Sequence, residues 1–525
     1  MFQHANKALI LSALCILTAV ILPIIFVPDL VVALISELYR FITTDMAWFF
    51  LLMGVGVTIG VAVLIFSRFG DIRLGGKNAR PHYSKFTWIS MNLCSALAAG
   101  ILIFGMCEWM YYINTTPFGI KAGSPEAYEH AISYGMFHWG ISAWGFYLLP
   151  GIALGYLYWN KKSDDLRVST LCHNVIGGES KFYKALRFII DSIIVFGYFM
   201  AIMTTVGIGV PVIAKLSSHL LGIDDTFGFK VGVICVFGVF FMLSTSKTIA
   251  RGMGIISTFN VRLSLVFFAF VLFAGDTGFI LNNLTMSIGT TIHEFTRMSF
   301  NADSVRQTGF IQGWTIFYWA WYVALTFICG IWIARTSYGR TFREIAIANS
   351  VWGAAACWIT FGILGSYGMS QELHHGIDLS SQIGEIGNSG VTLKVLDTLP
   401  MSSICIAVFV VLVFFNLATT ATANGTSLSI YTSVGLARDQ EPSSHFKVFW
   451  SLMFLVVPLG ILFLEHTIDG LNVLTTIQSM ITISALPVLL ALAVLFTSFF
   501  KTLKKDIHSG ELFDSVADNK MHKWG

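Results

Sequence analysis

Charge is the scarcest property of this sequence. Lysine, arginine, aspartate and glutamate make up 12% of its 525 residues, about half of the roughly 25% usual in soluble domains. With 55% hydrophobic residues, that scarcity excludes a soluble globular domain. A net charge of +3 offers little to hold a polyanion, so no nucleic-acid partner is expected. Cysteine is thin as well. The eight cysteines include no CxxC pair and most fall in apolar runs, so packing thiols are expected, not metal ligands or disulfides. No catalytic triad, metal-ligand set or phosphate loop is visible, and no soluble domain is appended. A membrane enzyme or a non-transporting sensor is therefore disfavoured, and no cofactor is expected. His374 and His375 in "QELHHGID" have no third ligand at useful spacing, so they are read as a solvated loop and no metal is assigned.

What is abundant is apolar runs near the length that crosses a bilayer, about 20 residues. Twelve are counted: roughly 8–27, 47–67, 86–108, 134–158, 186–209, 231–249, 255–281, 312–335, 344–369, 402–434, 446–465 and 471–500. The expected fold class is an all-α membrane protein with twelve transmembrane helices. The first run lacks a convincing cleavage site and many spans follow it, so it is read as a retained helix. With the N-terminus placed in the cytoplasm, the inner connections hold 24 lysines and arginines and the outer ones 7. The positive-inside rule then sets both termini inside.

The segment "NNLTMSIGTTIHEFTRMSF" (282–300) is too polar to span and suits a helix lying on the outer surface. Five spans precede it after the first two, and five follow. Two five-helix units of odd span number are inverted relative to each other, the layout of many secondary transporters, with substrate held near the midplane. The expected organisation is 1–85 (two N-terminal helices and an inner loop), 86–281 (first repeat), 282–311 (amphipathic surface connection), 312–500 (second repeat) and 501–525 (short cytoplasmic tail).

In the eighth span, "FYWAWYVALTF" (317–327) carries five aromatic residues in its first six. Trp314, Phe317, Tyr318, Trp321 and Leu325 recur at three- and four-residue intervals, near one helical stripe. A quaternary ammonium cannot be hydrogen-bonded, but ring faces hold it at roughly 0.5–2 kcal/mol each. Helix packing or an interfacial belt is the competing reading. Two further clusters, "EWMYYINTTPFG" (108–119) and "YGMFHWGISAWGFYLLPG" (134–151), bring aromatics from two more spans and make a shared cage the stronger reading.

At these stretches, and at "IARTSYGRTFREI" (333–345), the chain resembles the betaine/carnitine/choline transporter family from about 47 to 500. The resemblance implies a sodium-symporter-like five-plus-five inverted repeat with two extra N-terminal helices, a homotrimer in the inner membrane of a bacterium, and a small quaternary-ammonium substrate. In the family's carnitine branch the cage matches Tyr111, Trp139, Trp321 and Tyr322, with position 325; Tyr147 matches an aromatic used in the betaine branch. The family usually has Trp at position 322 and Trp or Tyr at 325. Leu325 therefore leaves the cage one ring short, and a substrate shaped or oriented differently from betaine is expected.

Coupling is read by the same comparison. "AAGILIFGMCE" (98–108) lacks the "GMGIG" pattern of the sodium-coupled branch and is closer to the carnitine exchangers. Arg262 matches an arginine that stands in for a sodium ion there. From the residues alone, Arg262 sits roughly 10 Å into the seventh span, where a charge costs at least ~2.5 kcal/mol; snorkelling to the inner surface is the alternative. In "NLATTATANGTSLSIY" (416–431), Ala421 and Thr422 align with the paired hydroxyls of the sodium branch, so one hydroxyl is missing. Cys329 replaces a methionine of the carnitine branch. The expected activity is sodium-independent substrate:product exchange of carnitine- or betaine-like zwitterions. The alternative is a sodium- or proton-coupled importer of choline, glycine betaine or a sulfonium analogue.

Glu108, at the end of the third span, is a candidate gate or an attractor of the substrate cation; a partly solvated structural carboxylate is an equal reading. Arg335, Arg340 and Arg343 suit positive-inside anchoring, or a gate or trimer contact. Osmosensing members of the family it resembles carry long, strongly charged tails, so by that resemblance the short, mixed-charge tail fits a metabolic transporter better than an osmotic valve.

Overall fold

The computed structural model describes residues 4–26, 28–96, 98–163, 165–244, 249–436, 440–467, 473–510 and 512. Of the charges used for orientation, Lys247, Arg438, Lys520 and Lys523 lie outside the described residues, as does nearly all of the tail beyond 510. In chain order the helices are α1 (Lys7–Phe26), α2 (Pro28–Arg40), α3 (Ala47–Phe66), α4 (Lys85–Ala96), α5 (Ala98–Asn114), α6 (Pro125–His138) and α7 (Ile141–Gly155). Then come two single turns, α8 (Val168–Leu171) and α9 (His173–Ile176), and the long α10 (Lys181–Leu221), α11 (Phe227–Ser244), α12 (Ile249–Ala274) and α13 (Thr277–Phe300). The remainder are α14 (Ile316–Thr336), α15 (Phe342–Ala346), α16 (Trp352–Thr360), α17 (Ser366–His375), α18 (Ile383–Asp397), α19 (Ser402–Tyr431), α20 (Ser444–Thr467) and α21 (Val473–His508). Two isolated bridges, Ala5 with Ser433 and Arg73 with Thr341, are the β pairings among the described residues.

Among the described residues, eight helices are long and apolar enough to cross a membrane. The described residues of the expected spans at 8–27, 86–108, 231–249 and 446–465 also fold as helix. The chain is thus an all-helical membrane protein, and twelve crossings remain an expectation.

α14 is the central post. All of its residues but Arg335 are buried, and α3, α4, α7, α10, α19 and α21 surround it. It approaches α7 tightly at Gly330 and Gly151. A Cβ on Gly330 would stand 3.1 Å from the Gly151 nitrogen, the small-residue contact by which helices pack without a solvent-driven force.

Three features depart from the sequence reading. The run 134–158 is two helices, broken at Trp139 (φ −103°, ψ 17°) and Gly140 (φ −86°, ψ −156°). Residues 383–397, read as connection, form α18, with a break at Gly387 (φ 62°, ψ −176°) that only glycine adopts readily. His374 and His375 end α17 instead of lying in a loop, and His374 Nδ1 is 3.0 Å from Asp276 Oδ2.

α13 is built inside out by the standards of a water-soluble helix. Asn283, Ser287 and Thr291 are buried against the protein, with Asn283 donating to Ser366 Oγ at 2.9 Å and Thr291 to the Ser133 carbonyl at 3.1 Å. Leu281, Met286, Ile292 and Phe300 point outward. That polarity fits a helix lying along a membrane.

The arginines after α14 are tied into the fold. Arg343 donates to the carbonyls of Ile65 and Ser67, each at 2.8 Å, and to Asp71, so it caps the end of α3. Arg340 donates to the Tyr83 carbonyl at 2.9 Å, and its guanidinium lies 4.6 Å from the Trp88 ring centroid. At the other end of the chain, the Asn6 N–H donates to the Thr432 carbonyl at 2.8 Å and the Val434 N–H to the His4 carbonyl at 2.7 Å.

Candidate functional site

The break at 139–140 does the positioning. Where a helix stops inside an apolar region, its freed carbonyls need partners. The His138 carbonyl takes the Tyr322 hydroxyl at 2.9 Å. This bond fastens the α6–α7 junction to α14 and holds Trp139 at the centre of the protein.

Around Trp139 the rings converge. Its centroid lies 6.1 Å from Trp321 with planes at 86°, 6.4 Å from Tyr322 at 73°, and 5.5 Å from Tyr318. Trp321 and Tyr322 stack at 6.2 Å and 16°. Phe104 of α5 stands 5.9 Å from Trp139 and 6.5 Å from Trp321. Phe361, set in a π-turn between α16 and α17, lies 5.9 Å from Trp139. Edge-to-face and offset contacts of this kind suit the ring quadrupoles. Both indoles approach α5 at Gly100: a Cβ there would stand 3.1 Å from Trp139 Cη2 and 3.7 Å from Trp321 Cη2.

Of the residues expected to bind substrate, Trp139, Trp321 and Tyr322 meet directly, and all are buried. Tyr147 joins through Tyr322, at 5.7 Å and 81°. Leu325 is buried in the same helix and adds no ring. Tyr111 belongs to a second group nearer the end of α5. It is half-buried, 5.2 Å from Trp314, and its hydroxyl donates to Asn388 Oδ1 at 2.9 Å. Phe104, Phe361 and Gly100 are not found by reading the sequence, where Tyr318 stands out only as part of the stripe. Phe104 alone carries a usable signal, lying on a helix turn of α5 between Gly100 and Glu108.

Glu108 is fully buried, so the partly solvated reading is overturned. Oε2 accepts from the Trp139 indole N–H at 3.0 Å and from the Tyr318 hydroxyl at 2.5 Å, and Oε1 accepts from the Tyr112 hydroxyl. Three donors satisfy the carboxylate, and His138 Nδ1 lies 3.9 Å from Oε1. Tyr112 oxygen also lies 2.7 Å from His138 Nδ1. Its single proton goes to Glu108, which makes it the acceptor for His138 Nδ1–H. In a neutral imidazole His138 Nε2 then accepts from the Thr315 hydroxyl, 2.9 Å away. The network ties α5, α6 and the start of α14 together.

The coupling candidates lie apart on three helices. Arg262, on α12, is exposed and not sealed in the interior, with its guanidinium carbon 6.0 Å from the Phe86 ring centroid. Thr422, on α19, donates to its own helix at the Ala418 carbonyl, 2.8 Å away. Cys329, on α14, is buried.

An all-helical membrane protein with a broken helix and an interior ring cluster has the form of a secondary transporter. Comparison with known proteins names the family: residues 8–508 match the betaine/carnitine/choline family transporters, and the chain belongs to that family. It is similar to a carnitine transporter of Acinetobacter baumannii, 29% identical over 432 residues, covering 82% of this chain and 77% of the relative. It is similar to an ectoine/hydroxyectoine transporter of Virgibacillus pantothenticus, 29% identical over 477 residues, covering 90% and 91%. A third relative is an uncharacterized transporter of Escherichia coli, YeaV, 27% identical over 455 residues, covering 87% and 92%.

Proposed function

We propose that this chain is a secondary transporter of carnitine- or betaine-like quaternary-ammonium zwitterions, working by sodium-independent substrate:product exchange through alternating access. The observation that carries the reading is the meeting of Trp139, Trp321 and Tyr322 beside a buried carboxylate. A carboxylate accepting an indole N–H pushes electron density into that ring. Trp139 is thereby a better partner for a cation than an unbonded indole. Tyr147 extends the cage, Tyr111 lies toward its access route, and Leu325 leaves one face open for a substrate shaped or oriented differently from betaine. A relative named a carnitine transporter supports this class, and one named an ectoine/hydroxyectoine transporter supports the broader class of small zwitterions. Arg262 is the proposed substitute for a driving sodium ion, with Cys329 and Thr422 near the places where other members of the family hold sodium. In this reading the chain spans an inner membrane twelve times in a five-plus-five inverted repeat, with both termini cytoplasmic, as a homotrimer.

The test is uptake into proteoliposomes. Carnitine, γ-butyrobetaine and betaine uptake is expected to be unchanged when sodium is replaced and to rise when vesicles are preloaded. Strict sodium dependence overturns the exchange mode, and full transport by Trp139→Ala and Trp321→Ala overturns the cage. Arg262→Glu is expected to lose uptake or gain cation dependence. A second reading, proton-coupled import, is favoured by the chain of protonatable groups Glu108, Tyr112 and His138. Uptake that follows an imposed pH gradient selects it.

A further inference from the structure

One surface feature lies away from the rings. A groove of about 740 Å³ runs along α3, α7 and α21. Its walls are apolar, including Met53, Val57, Leu64, Leu149, Ile152 and Phe499. From Met53 to Leu64 it follows roughly 16 Å of helix. Its polarity is one-ended: the cationic and titratable lining residues are Lys504 and His508, both in the last turns of α21.

Those turns read "KTLKKDIH" (501–508) and are basic on their open side. Lys501, Lys504, Lys505 and His508 are exposed. The one carboxylate in the stretch, Asp506, is turned inward, where Lys161 holds it at 2.5 Å and Tyr156 donates to it. Among the described residues no acidic side chain pairs with Lys504. An apolar slot within the span of a membrane helix, ending in unneutralised positive charge, has the charge order of a phospholipid: apolar tail, anionic head. A basic cluster just past a membrane helix is the usual mark of anionic-lipid recognition. A second protein helix fits less well. Gly56 and Gly60 have the spacing by which helices pair, but the place of a Cβ on Gly60 is already taken by Leu149, 2.9 Å away.

We propose that this groove is a binding site for an anionic membrane phospholipid, one acyl chain lying along α3 and the headgroup phosphate held by Lys504 and His508. Gly56 supplies the probe. It lines the groove, and a Cβ there meets nothing within 4 Å, so a larger side chain fills the slot without displacing a neighbour.

The experiment is native mass spectrometry of the full-length protein released from detergent, titrated with dioleoyl phosphatidylglycerol or dioleoyl phosphatidylcholine. Phosphatidylglycerol is expected to be retained more strongly. The double variant Lys504→Gln with His508→Gln is expected to weaken that preference at least about fivefold. Gly56→Leu is expected to lose the retained lipid while keeping the oligomeric state of wild type and a thermal melt no lower than wild type. Equal retention of phosphatidylcholine, or an unchanged preference in the double variant, overturns the headgroup assignment. A changed oligomeric state in Gly56→Leu overturns the site in favour of a subunit interface, and Gly56→Leu that folds and retains lipid as wild type does overturns the acyl slot.

Discussion

The indole N–H of Trp139 is bonded to the Glu108 carboxylate at 3.0 Å, so the ring at the centre of the cage is also a structural donor. The two roles separate in Trp139→Phe. The benzyl ring keeps a face for a cation, while Glu108 loses one of three donors. Leaving a buried acceptor short costs about 1–3 kcal/mol. Trp139→Phe is expected to lower thermal stability and weaken substrate binding, whereas Trp321→Ala lowers binding by roughly 2- to 30-fold, the worth of one ring, and leaves the Glu108 bonds intact. Tryptophan fluorescence titration and a thermal melt of each variant check the split.

Glu108 itself makes a sharper case. Glu108→Ala strands the donors of Tyr112, Trp139 and Tyr318 in the interior. Each unpaired donor costs roughly 1–3 kcal/mol, and little folded protein is expected from expression. Glu108→Gln keeps one carbonyl acceptor and is expected to fold with reduced stability. Equal yields of wild type and Glu108→Ala on size-exclusion chromatography contradict the network.

Gly100→Ala tests the close approach of both indoles to α5. Alanine favours a helix over glycine by about 1 kcal/mol, so the melt is expected to hold or rise. The new methyl presses on the Trp139 ring at 3.1 Å, so substrate affinity is expected to fall a few-fold, and further in Gly100→Val. An affinity that does not change in either variant removes Gly100 from the cage.

Arg343→Lys retains the charge and loses the fork. Lysine cannot reach two carbonyls and Asp71 in one plane. A lower melting temperature is expected, close to that of Arg343→Ala, with substrate affinity per folded molecule unchanged. A lysine variant as stable as wild type returns the residue to simple positive-inside anchoring.

Much of this architecture is legible as hydropathy. The runs at 47–67 and 402–434 coincide with α3 and α19 to within a few residues, because a bilayer-length apolar helix is set by its own composition. The break at Trp139 is not legible that way. The apolar run continues through it, and what stabilises it is the Tyr322 hydroxyl, distant in sequence. α18 is hidden for the opposite reason: "IGEIGNSGVTLKVLD" has three interior glycines and no apolar run, and its helix depends on packing against α5, α10 and α19. Arg262 shows the limit of depth alone. Counting residues gives how far along a span a charge lies, not whether the fold covers it, and this one is left exposed. Glu108 was half-visible. Tyr112 is one turn away, but Trp139 and Tyr318 come from other helices.

The pairing of the first described residues with the end of α19 has a consequence of its own. His4 and Asn6 share backbone hydrogen bonds with Val434 and Thr432, so the amino terminus is stitched to a helix from the opposite half of the chain. In deuterium exchange, the amides of Asn6 and Val434 should open as one unit, whatever their distance in sequence. A bulky fusion placed directly before His4 would pull on α19.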